Sequence, residues 1–390
     1  MKVLALHTHY LQSGGEDGVF AAEMDLLREK GHEVYSLTFH NRDLEGLPPL
    51  RQAAFTLWNR EAYEEVGGAI RAYRPEIVHI HNTFPLASPS VVHAAKEEGV
   101  PVILTLHNYR LLCVNALFFR EGSVCEDCLG RLPWRGVARA CYRGSRATSG
   151  VVAAMLTVHR ALGTWTRLVN VYIALTEFSR QKFIEGGLPV EKIVVKPNFV
   201  YPDPGVSSGQ NGYALYVGRL SPEKGIKTLL DAWKRLRLGL QLKVVGDGPL
   251  APEVSEVAKR TQGIEWLGRK PRDEVYSLMR RAAFLVLPSI VYENFPMAIA
   301  EAYASGLPVI ASEMGTMASL VDHGRTGLHF KPGDPEDLAG KVEWLISHPT
   351  ELTAMRKEAR AEYEAKYTAE RNYQILMKIY ERAIETARQS

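Results

Sequence analysis

Two carboxylates and two cations in the second half of the chain have the types and spacing of a site for a charged, hydroxyl-rich ligand. Glu293 and Glu301 frame the segment Glu-Asn-Phe-Pro-Met-Ala-Ile-Ala-Glu. Pro296 suits the first position of a helix, where its missing N–H would go unpaired anyway. Gly306 suits the helix end, and Pro308 stops continuation. Glu293 is therefore expected in a loop at the mouth of a helix, with Glu301 inside it. A helix N-terminus attracts phosphate, and two carboxylates beside it can hold the hydroxyls of a sugar and a ribose. An isolated pair of glutamates is more often solvated than functional. Upstream, Val-Gly-Arg-Leu-Ser-Pro-Glu-Lys-Gly at 217–225 supplies Arg219 and Lys224. Gly218 permits an unusual backbone angle or a close approach. Arg grips phosphate bidentately and Lys acts as a point charge. The plain alternative is a solvated loop whose cations pair with Glu223.

The scaffold needed to bring these residues together is legible as alternating strands and helices. Short apolar strands are expected at 3–7, 34–39, 77–81, 102–106 and 171–175, with a helix at 18–30 after the glycines at 14 and 15. Residues 198–212 have linker composition. The rhythm then restarts, with strands at 213–217, 242–245, 284–287 and 309–311 and a helix at 226–236. From about 349 the chain reads as one long charged helical stretch. Alternating units imply parallel sheets covered on both faces. The expected architecture is α/β, with two doubly wound domains facing each other across a cleft. The first spans 1–200, with a Cys- and Arg-rich insertion at about 110–165. The second spans 201–370, and a helix at 371–390 is expected to cross back to the first. Ligands bind beyond the carboxyl ends of such strands, which is where Arg219, Lys224 and Glu293 fall.

Composition narrows the function. The chain has 390 residues, 46% hydrophobic and 23% charged, as in an ordinary globular protein of two domains. A net charge of +3 is too small for a dedicated nucleic-acid binder. The opening residues reach polar positions too soon for a signal peptide, and no apolar run is of membrane-spanning length. A cytoplasmic location follows as the expectation, with four cysteines reduced by default.

Three motifs taken together carry a family resemblance. They are the segment at 217–225, Gly-Asp-Gly-Pro at 246–249, and Glu-Asn-Phe-Pro-x4-Glu-Ala-x-Ala-Ser-Gly-Leu-Pro-Val-Ile-Ala from 293 onward, with the weaker Gly-Gly at 14–15. With these the chain resembles the family 4 retaining glycosyltransferases of the GT-B fold over essentially its whole length. The resemblance implies that Arg219 and Lys224 bind the donor diphosphate and stabilise the leaving nucleotide. Glu301 would hold the ribose, and Glu293 the transferred sugar, helped by backbone amides near Asn294 and Phe295. Gly218 and Gly246 would line the donor site, and Gly14 and Gly15 would let the first-domain backbone approach the diphosphate. His107 would reach the sugar, and Arg269 and Lys270 would lie beside the base. Two departures bear on the donor sugar. Asn294 and Pro296 stand where many members have Gly, and Asn108 stands where many have Asp. The chain has no Asp-x-Asp motif for a catalytic divalent metal, so the cations of Arg219 and Lys224 are expected to do that electrostatic work.

Other features leave alternatives open. His79 and His81 share a strand face and read as satisfied buried imidazoles. Asn82 and Thr83 follow that strand and could touch an acceptor. Cys113, Cys125, Cys128 and Cys141 contain one C-x2-C bite and suit a structural zinc site, or remain reduced or paired. From Cys128 to Thr176 there are seven arginines and no acid. Arg131, Arg135, Arg139 and Arg143 recur every fourth position and would lie along one face of a helix. Such a surface suits anionic lipid or a diphosphate lipid acceptor, making the 131–167 region a candidate peripheral membrane contact. The reaction implied is sugar transfer from a UDP-sugar ahead of a GDP-sugar, to a lipid-linked or polysaccharide acceptor in cell-surface or exopolysaccharide synthesis. A small soluble acceptor, or a nucleotide-sugar epimerase, is the alternative.

Overall fold

The computed structural model describes residues 1–11, 14–206, 212–236 and 239–389. The chain divides into two compact units: Met1–Phe118, Glu126–Pro197 and Asn372–Ser390 form the first, Phe119–Cys125 and Asn198–Arg371 the second. Each is built on a six-stranded parallel sheet.

In the first unit β1 (Lys2–His9), β2 (Glu33–His40), β3 (Ile77–Ile80) and β4 (Val102–Thr105) are joined by helices. A short antiparallel hairpin of β5 (Phe119–Arg120) and β6 (Ser123–Val124) comes next in the chain and is grouped with the second unit. The first unit then continues with β7 (Val171–Ala174) and β8 (Ile193–Val195). The sheet runs β2-β1-β3-β4-β7-β8. β3, β4 and β7 are buried at every residue, as strands covered on both faces must be. The expected terminal helix is two helices, Pro349–Lys366 and Ala369–Arg388. The second lays Leu376, Ile379, Tyr380 and Ala383 against Val3, Ala5, Ile77, Ile103 and Val171, an apolar stripe with helical spacing.

The second unit contributes β9 (Ala214–Val217), β10 (Leu242–Val245), β11 (Ile264–Gly268), β12 (Phe284–Leu287), β13 (Val309–Ser312) and β14 (Gly327–Phe330), in the order β11-β10-β9-β12-β13-β14. This is the Rossmann order, and its direction of winding reverses between β9 and β12. At such a reversal the loops leaving the two strands part to opposite faces and open a crevice. In the first unit the reversal falls between β1 and β3.

Several local expectations shift. The first helix spans Gly15–Glu29, three residues earlier than its expected start, because Asp17 accepts from Gly14 N at 2.7 Å and closes the first turn. Pro296 is the residue before the helix Met297–Ala304 and not its first member. Gly306 ends that helix as expected, with φ +64 and a return bond from Leu307 N to Ala302 O. β8, β11 and β14 were not anticipated. Of the expected linker, residues 207–211 lie outside the described residues. No helix among the described residues is long and apolar enough to cross a membrane.

Candidate functional site

At the reversal of the second sheet, the loops after β9 and β12 meet. From β9 the chain passes through Gly218 to Ser221, makes a single 3-10 turn at Pro222–Lys224, and enters the helix Ile226–Arg235 through Gly225. Gly225 has φ +67, and a Cβ there would lie 1.8 Å from the Pro288 carbonyl oxygen at the end of β12. Only glycine lets these two strand ends approach so closely. The bond from Ile290 N to Glu223 O, at 2.9 Å, ties the loops together. As a result Lys224 and Glu293, 69 positions apart, form a two-pronged ion pair at 2.6 and 2.8 Å. Ser289 Oγ donates to the same Glu293 carboxylate at 2.7 Å. Lys224 retains 28% of its side-chain exposure and Glu293 12%, so the pair lies at the surface of the crevice. Glu223 accepts from Ser221 Oγ and does not pair with Lys224.

The Gly-Asp-Gly motif after β10 packs against the same loop. Gly246 has φ +142, and a Cβ there would strike the Gly218 carbonyl at 1.9 Å. Gly218 N donates to Val245 O at 3.1 Å, and Leu220 N to Asp247 O at 2.9 Å. The two motifs read separately in the sequence are therefore one structural piece. Arg219 emerges from it exposed. Glu301 lies within Met297–Ala304, where burial raises its carboxyl above the usual range and Arg272 offsets part of that rise. Arg272 Nε stands 3.9 Å from Glu301 and donates to Tyr276 OH at 2.7 Å. Phe295 is buried edge-on against Tyr367, so its side chain serves packing. The carbonyl of Asn294 accepts from Thr316 Oγ1 at 3.4 Å. Arg269 is exposed beyond β11, and Lys270 pairs with Glu274 at 3.0 Å.

The first unit places its candidates at the corresponding edge. Gly14 has φ −118 and ψ −176, ordinary extended backbone, and a Cβ on it would meet nothing within 4 Å. Its lack of a side chain therefore leaves open space and relieves no strain. Asp17 ties this turn to β1, meeting His7 Nε2 at 2.8 Å and His9 Nδ1 at 3.0 Å. Burial alone would raise the Asp17 carboxyl, but the bonds from His7, Gly14 and His9 hold it at about 2. His107, just past β4, meets His81 Nδ1 through Nε2 at 2.9 Å. A cavity of about 50 Å³ is lined by His81, Thr83, Phe84, His107, Asn108 and Arg110, among others. Asn82 is engaged structurally, donating to Thr8 O at 2.7 Å and accepting from Phe84 N at 2.9 Å. Asn108 donates to Tyr10 OH at 3.3 Å and accepts from Arg110 N at 3.0 Å.

Sequence reasoning missed Glu16, Asp17, Glu23 and Lys196. Burial pushes the Glu16 carboxyl up to about 8, with the charge of Asp17 adding to the rise. The spacing of Gly14 and Asp17 across a first helical turn was the available signal for that helix start.

The arginine run does not form a helical stripe. Its helix covers only Trp134–Ala138, and Ala140 and Arg143 have positive φ. Asp127, one residue before the acid-free stretch, pairs with both Arg135 and Arg139. Arg160 donates to the carbonyls of Arg131 and Leu111, and Arg167 to that of Leu162. Arg131, Arg143 and Arg146 are exposed, as are Leu132 at 60% and Trp134 at 63%. No disulfide joins the four cysteines. Cys113 Sγ donates to Asn115 Oδ1 at 2.9 Å. Among the described residues, the groups of three or more ligating atoms within 4.8 Å are His7/His9/Asp17 and Glu23/His79/His81, and neither contains a cysteine.

Two family profiles divide the chain. Glycosyltransferase Family 4 matches residues 19–203, and Glycosyl transferases group 1 matches residues 202–362. An uncharacterized glycosyltransferase of Methanocaldococcus jannaschii is 36% identical over 177 residues, 45% of this chain and 49% of that protein. The D-rhamnosyltransferase WbpZ of Pseudomonas aeruginosa is 32% identical over 161 residues, 40% of this chain and 42% of that protein. The matches thus span about half or less of the length of these curated relatives. Among solved structures, Anabaena Alr3699/HepE in complex with UDP superposes with a TM-score of 0.70 at 19% identity, covering 97% of this chain and 99% of that one. Sucrose-phosphate synthase from Thermosynechococcus elongatus gives 0.72 at 16% identity, covering 98% of each. These likenesses extend over both Rossmann-like domains and identify the fold as GT-B. Matched from residue 19 to residue 362 by the two halves of one enzyme family, and folded like these two structures, the chain belongs to glycosyltransferase family 4.

Proposed function

We propose that this chain is a retaining glycosyltransferase that moves a sugar from a nucleotide-diphosphate sugar, a UDP-sugar ahead of a GDP-sugar, to a glycan or lipid-linked acceptor. Cell-surface or exopolysaccharide synthesis is the setting that suits such an acceptor. The observation that carries the reading is the Lys224–Glu293 pair at the reversal of the second sheet. A cation and a carboxylate held side by side, partly exposed, can part to meet a phosphate and a sugar hydroxyl. The UDP in the Anabaena structure supports the choice of nucleotide.

Arg219 and Lys224 bind the diphosphate, Glu293 the transferred sugar, and Glu301 the ribose. Gly218 and Gly246 line the donor site with the amides of Asn294 and Phe295, while Arg269 and Lys270 lie toward the base. Gly14 and Gly15 leave room for the donor, and His107 reaches the sugar. In the reaction the bond from the anomeric carbon to the phosphate oxygen breaks and a bond to the acceptor oxygen forms on the same face. The leaving phosphate takes the acceptor proton. Positive charge on the sugar and negative charge on the diphosphate develop together, and Arg219 and Lys224 stabilise the latter. Glu293 and Glu301 then serve binding and not acid–base exchange.

The test is nucleotide release from UDP- and GDP-sugars with and without a glycan acceptor. Lys224→Ala and Arg219→Ala should each remove most turnover, and near-normal rates would sink the assignment. Acceptor-independent interconversion of the sugar would favour the epimerase alternative, and transfer to a small soluble sugar alone would narrow the acceptor. For a lipid-linked acceptor, the exposed Trp134 and Leu132 beside Arg131 form an amphipathic surface suited to the cytoplasmic face of an anionic membrane. Vesicle flotation with and without anionic lipid tests that contact.

A further inference from the structure

A buried chain of polar groups runs behind His107. Its Nε2 lies 2.9 Å from His81 Nδ1. Across the His81 ring, Nε2 lies 3.4 Å from Glu23 Oε1, and neither atom has a hydrogen-bond partner among the described residues, so each faces the other as its nearest complement. Glu23 Oε2 takes Lys196 Nζ at 2.5 Å. The side chains of Glu23, His81 and Lys196 are each 1% exposed. They come from the helix Gly15–Glu29, the end of β3 and the end of β8, and they meet only through the fold.

Glu23, His79 and His81 also lie close enough to be read as a metal site. Two features argue against a cation there. Both nitrogens of His79 are engaged at 2.8 Å, one by Tyr380 OH and one by Thr105 Oγ1. The Lys196 ammonium already neutralises Glu23, so a dication would sit beside a buried positive charge.

The protons can be placed. Burial holds the His81 imidazole down to about 3 and His107 well below the usual range, so near neutral pH each ring carries one N–H. Burial alone would raise the Glu23 carboxyl, but the Lys196 charge and the two imidazoles beside it keep it well below its ordinary value. An ionised carboxylate only accepts. The proton facing Glu23 therefore belongs to His81 Nε2, which leaves His81 Nδ1 bare. His107 must then donate from Nε2, and its Nδ1 keeps a lone pair. The opposite arrangement would set a bare nitrogen against a carboxylate oxygen at 3.4 Å and strip Glu23 Oε1 of its only nearby ring donor but His79, whose Nδ1 stands at 3.5 Å.

We propose that Glu23 is a positioning residue that, through His81, fixes His107 as a hydrogen-bond acceptor at Nδ1 for a hydroxyl of the transferred sugar. The inference rests on the placement of His107 at the sugar in the function proposed above. It implies a donor whose sugar offers a free hydroxyl at that point.

The test begins with ring-labelled 15N-histidine NMR of the full chain, with the His107 signals identified by their loss in His107→Gln. The expected result is His107 protonated on Nε2 alone, and a proton on Nδ1 overturns the proposal. Glu23→Gln leaves Lys196 buried without its counter-charge and is a poor variant for folding. The double variant Glu23→Leu/Lys196→Met removes the pair together, a change that buried ion pairs often tolerate. In it the His107 proton should divide between the two nitrogens, and kcat/KM should fall about tenfold, the worth of one hydrogen bond, with UDP affinity unchanged. An unaltered His107 proton in the double variant overturns the proposal. A shifted proton with unaltered kcat/KM overturns the contact of His107 with the sugar, whereas failure of nucleotide release in the wild type would overturn the transferase reading itself.

Discussion

Replacing Gly225 with alanine tests whether the meeting of two loops makes the donor site. The new methyl would stand 1.8 Å from the Pro288 carbonyl oxygen and 2.7 Å from its carbonyl carbon. An ordinary carbon–oxygen contact is about 3.3 Å or more, so Pro288 must retreat by roughly 1.5 Å. Both partners are backbone, and no side-chain rotation relieves the clash. The φ of +67 adds a left-handed penalty of about 1–2 kcal/mol, and overpacking adds about 1–3 kcal/mol. Gly324 separates the two terms: its φ is +83, but a Cβ there meets nothing within 4 Å. Gly324→Ala should therefore show only the first penalty. Gly225→Ala should melt about 5 °C lower than Gly324→Ala, at ~2–4 °C per kcal/mol. Activity should separate them further. Pro288 leads into Ser289 and Glu293, so its retreat draws Glu293 away from Lys224, and a displacement of about 1 Å can cost ~100-fold in rate. Differential scanning fluorimetry and nucleotide release are the measurements. If the two variants melt together and Gly225→Ala keeps its rate, the close approach of the two strand ends is not what holds the pair.

Gly14→Ala should leave stability within about 0.5 kcal/mol, since its backbone is extended and the space is open. The KM for the donor should still rise, and an unchanged KM would count against a diphosphate near Gly14. Asp17→Asn should cost about 2 kcal/mol at pH 7, from a carboxyl held at about 2 instead of its usual value. A depressed carboxyl stabilises the fold above its unfolded pKa and loses that contribution as pH falls through the folded one. Urea midpoints of the two proteins should therefore converge as pH drops from 4 toward 2, and a constant gap would refute the assignment. Asp127→Asn should release Arg135 and Arg139 and increase salt-sensitive flotation on anionic vesicles. Unchanged flotation would remove these two arginines from the membrane contact.

The rhythm of strand and helix was legible because parallel strands buried on both faces are mostly apolar, as in β3, β4 and β7, where His79 and Thr105 are the polar exceptions. β11, with its alternating Glu265, and the three-residue β8 lack that signature. The loops that meet at a reversal of strand order were not legible, because strand order is a property of the sheet and not of any segment. The motifs at 217 and 293 therefore pointed to the site, while the Lys224–Glu293 contact itself had to come from the fold. The arginines misled for a local reason. A period of four means a shared face only if a helix persists, and here the helix is confined to Trp134–Ala138, with Pro133 before it and positive φ at Ala140, Arg143 and Gly144 after it. The acid-free window also opened one residue after Asp127, the carboxylate that two of those arginines use.

Exposure assigns the Lys224–Glu293 and Glu23–Lys196 ion pairs to different tasks. Lys224 and Glu293 lie in loops that open on solvent, with 28% and 12% of their side chains exposed. Breaking such a pair costs less than breaking a sealed one, because solvent reaches the ammonium, and an arriving phosphate can replace the carboxylate as its partner. Glu23 and Lys196, 173 positions apart and each 1% exposed, cannot part without leaving a bare charge in the core. A pair that cannot open is unsuited to binding but well suited to holding a neighbouring ring in one protonation state. No charge pattern along the chain distinguishes the two cases, since each joins an acid and a base far apart in sequence. The difference arises in the fold, where Lys196 follows β8 and is 1% exposed, whereas Lys224 follows β9 in a loop that leaves it 28% exposed.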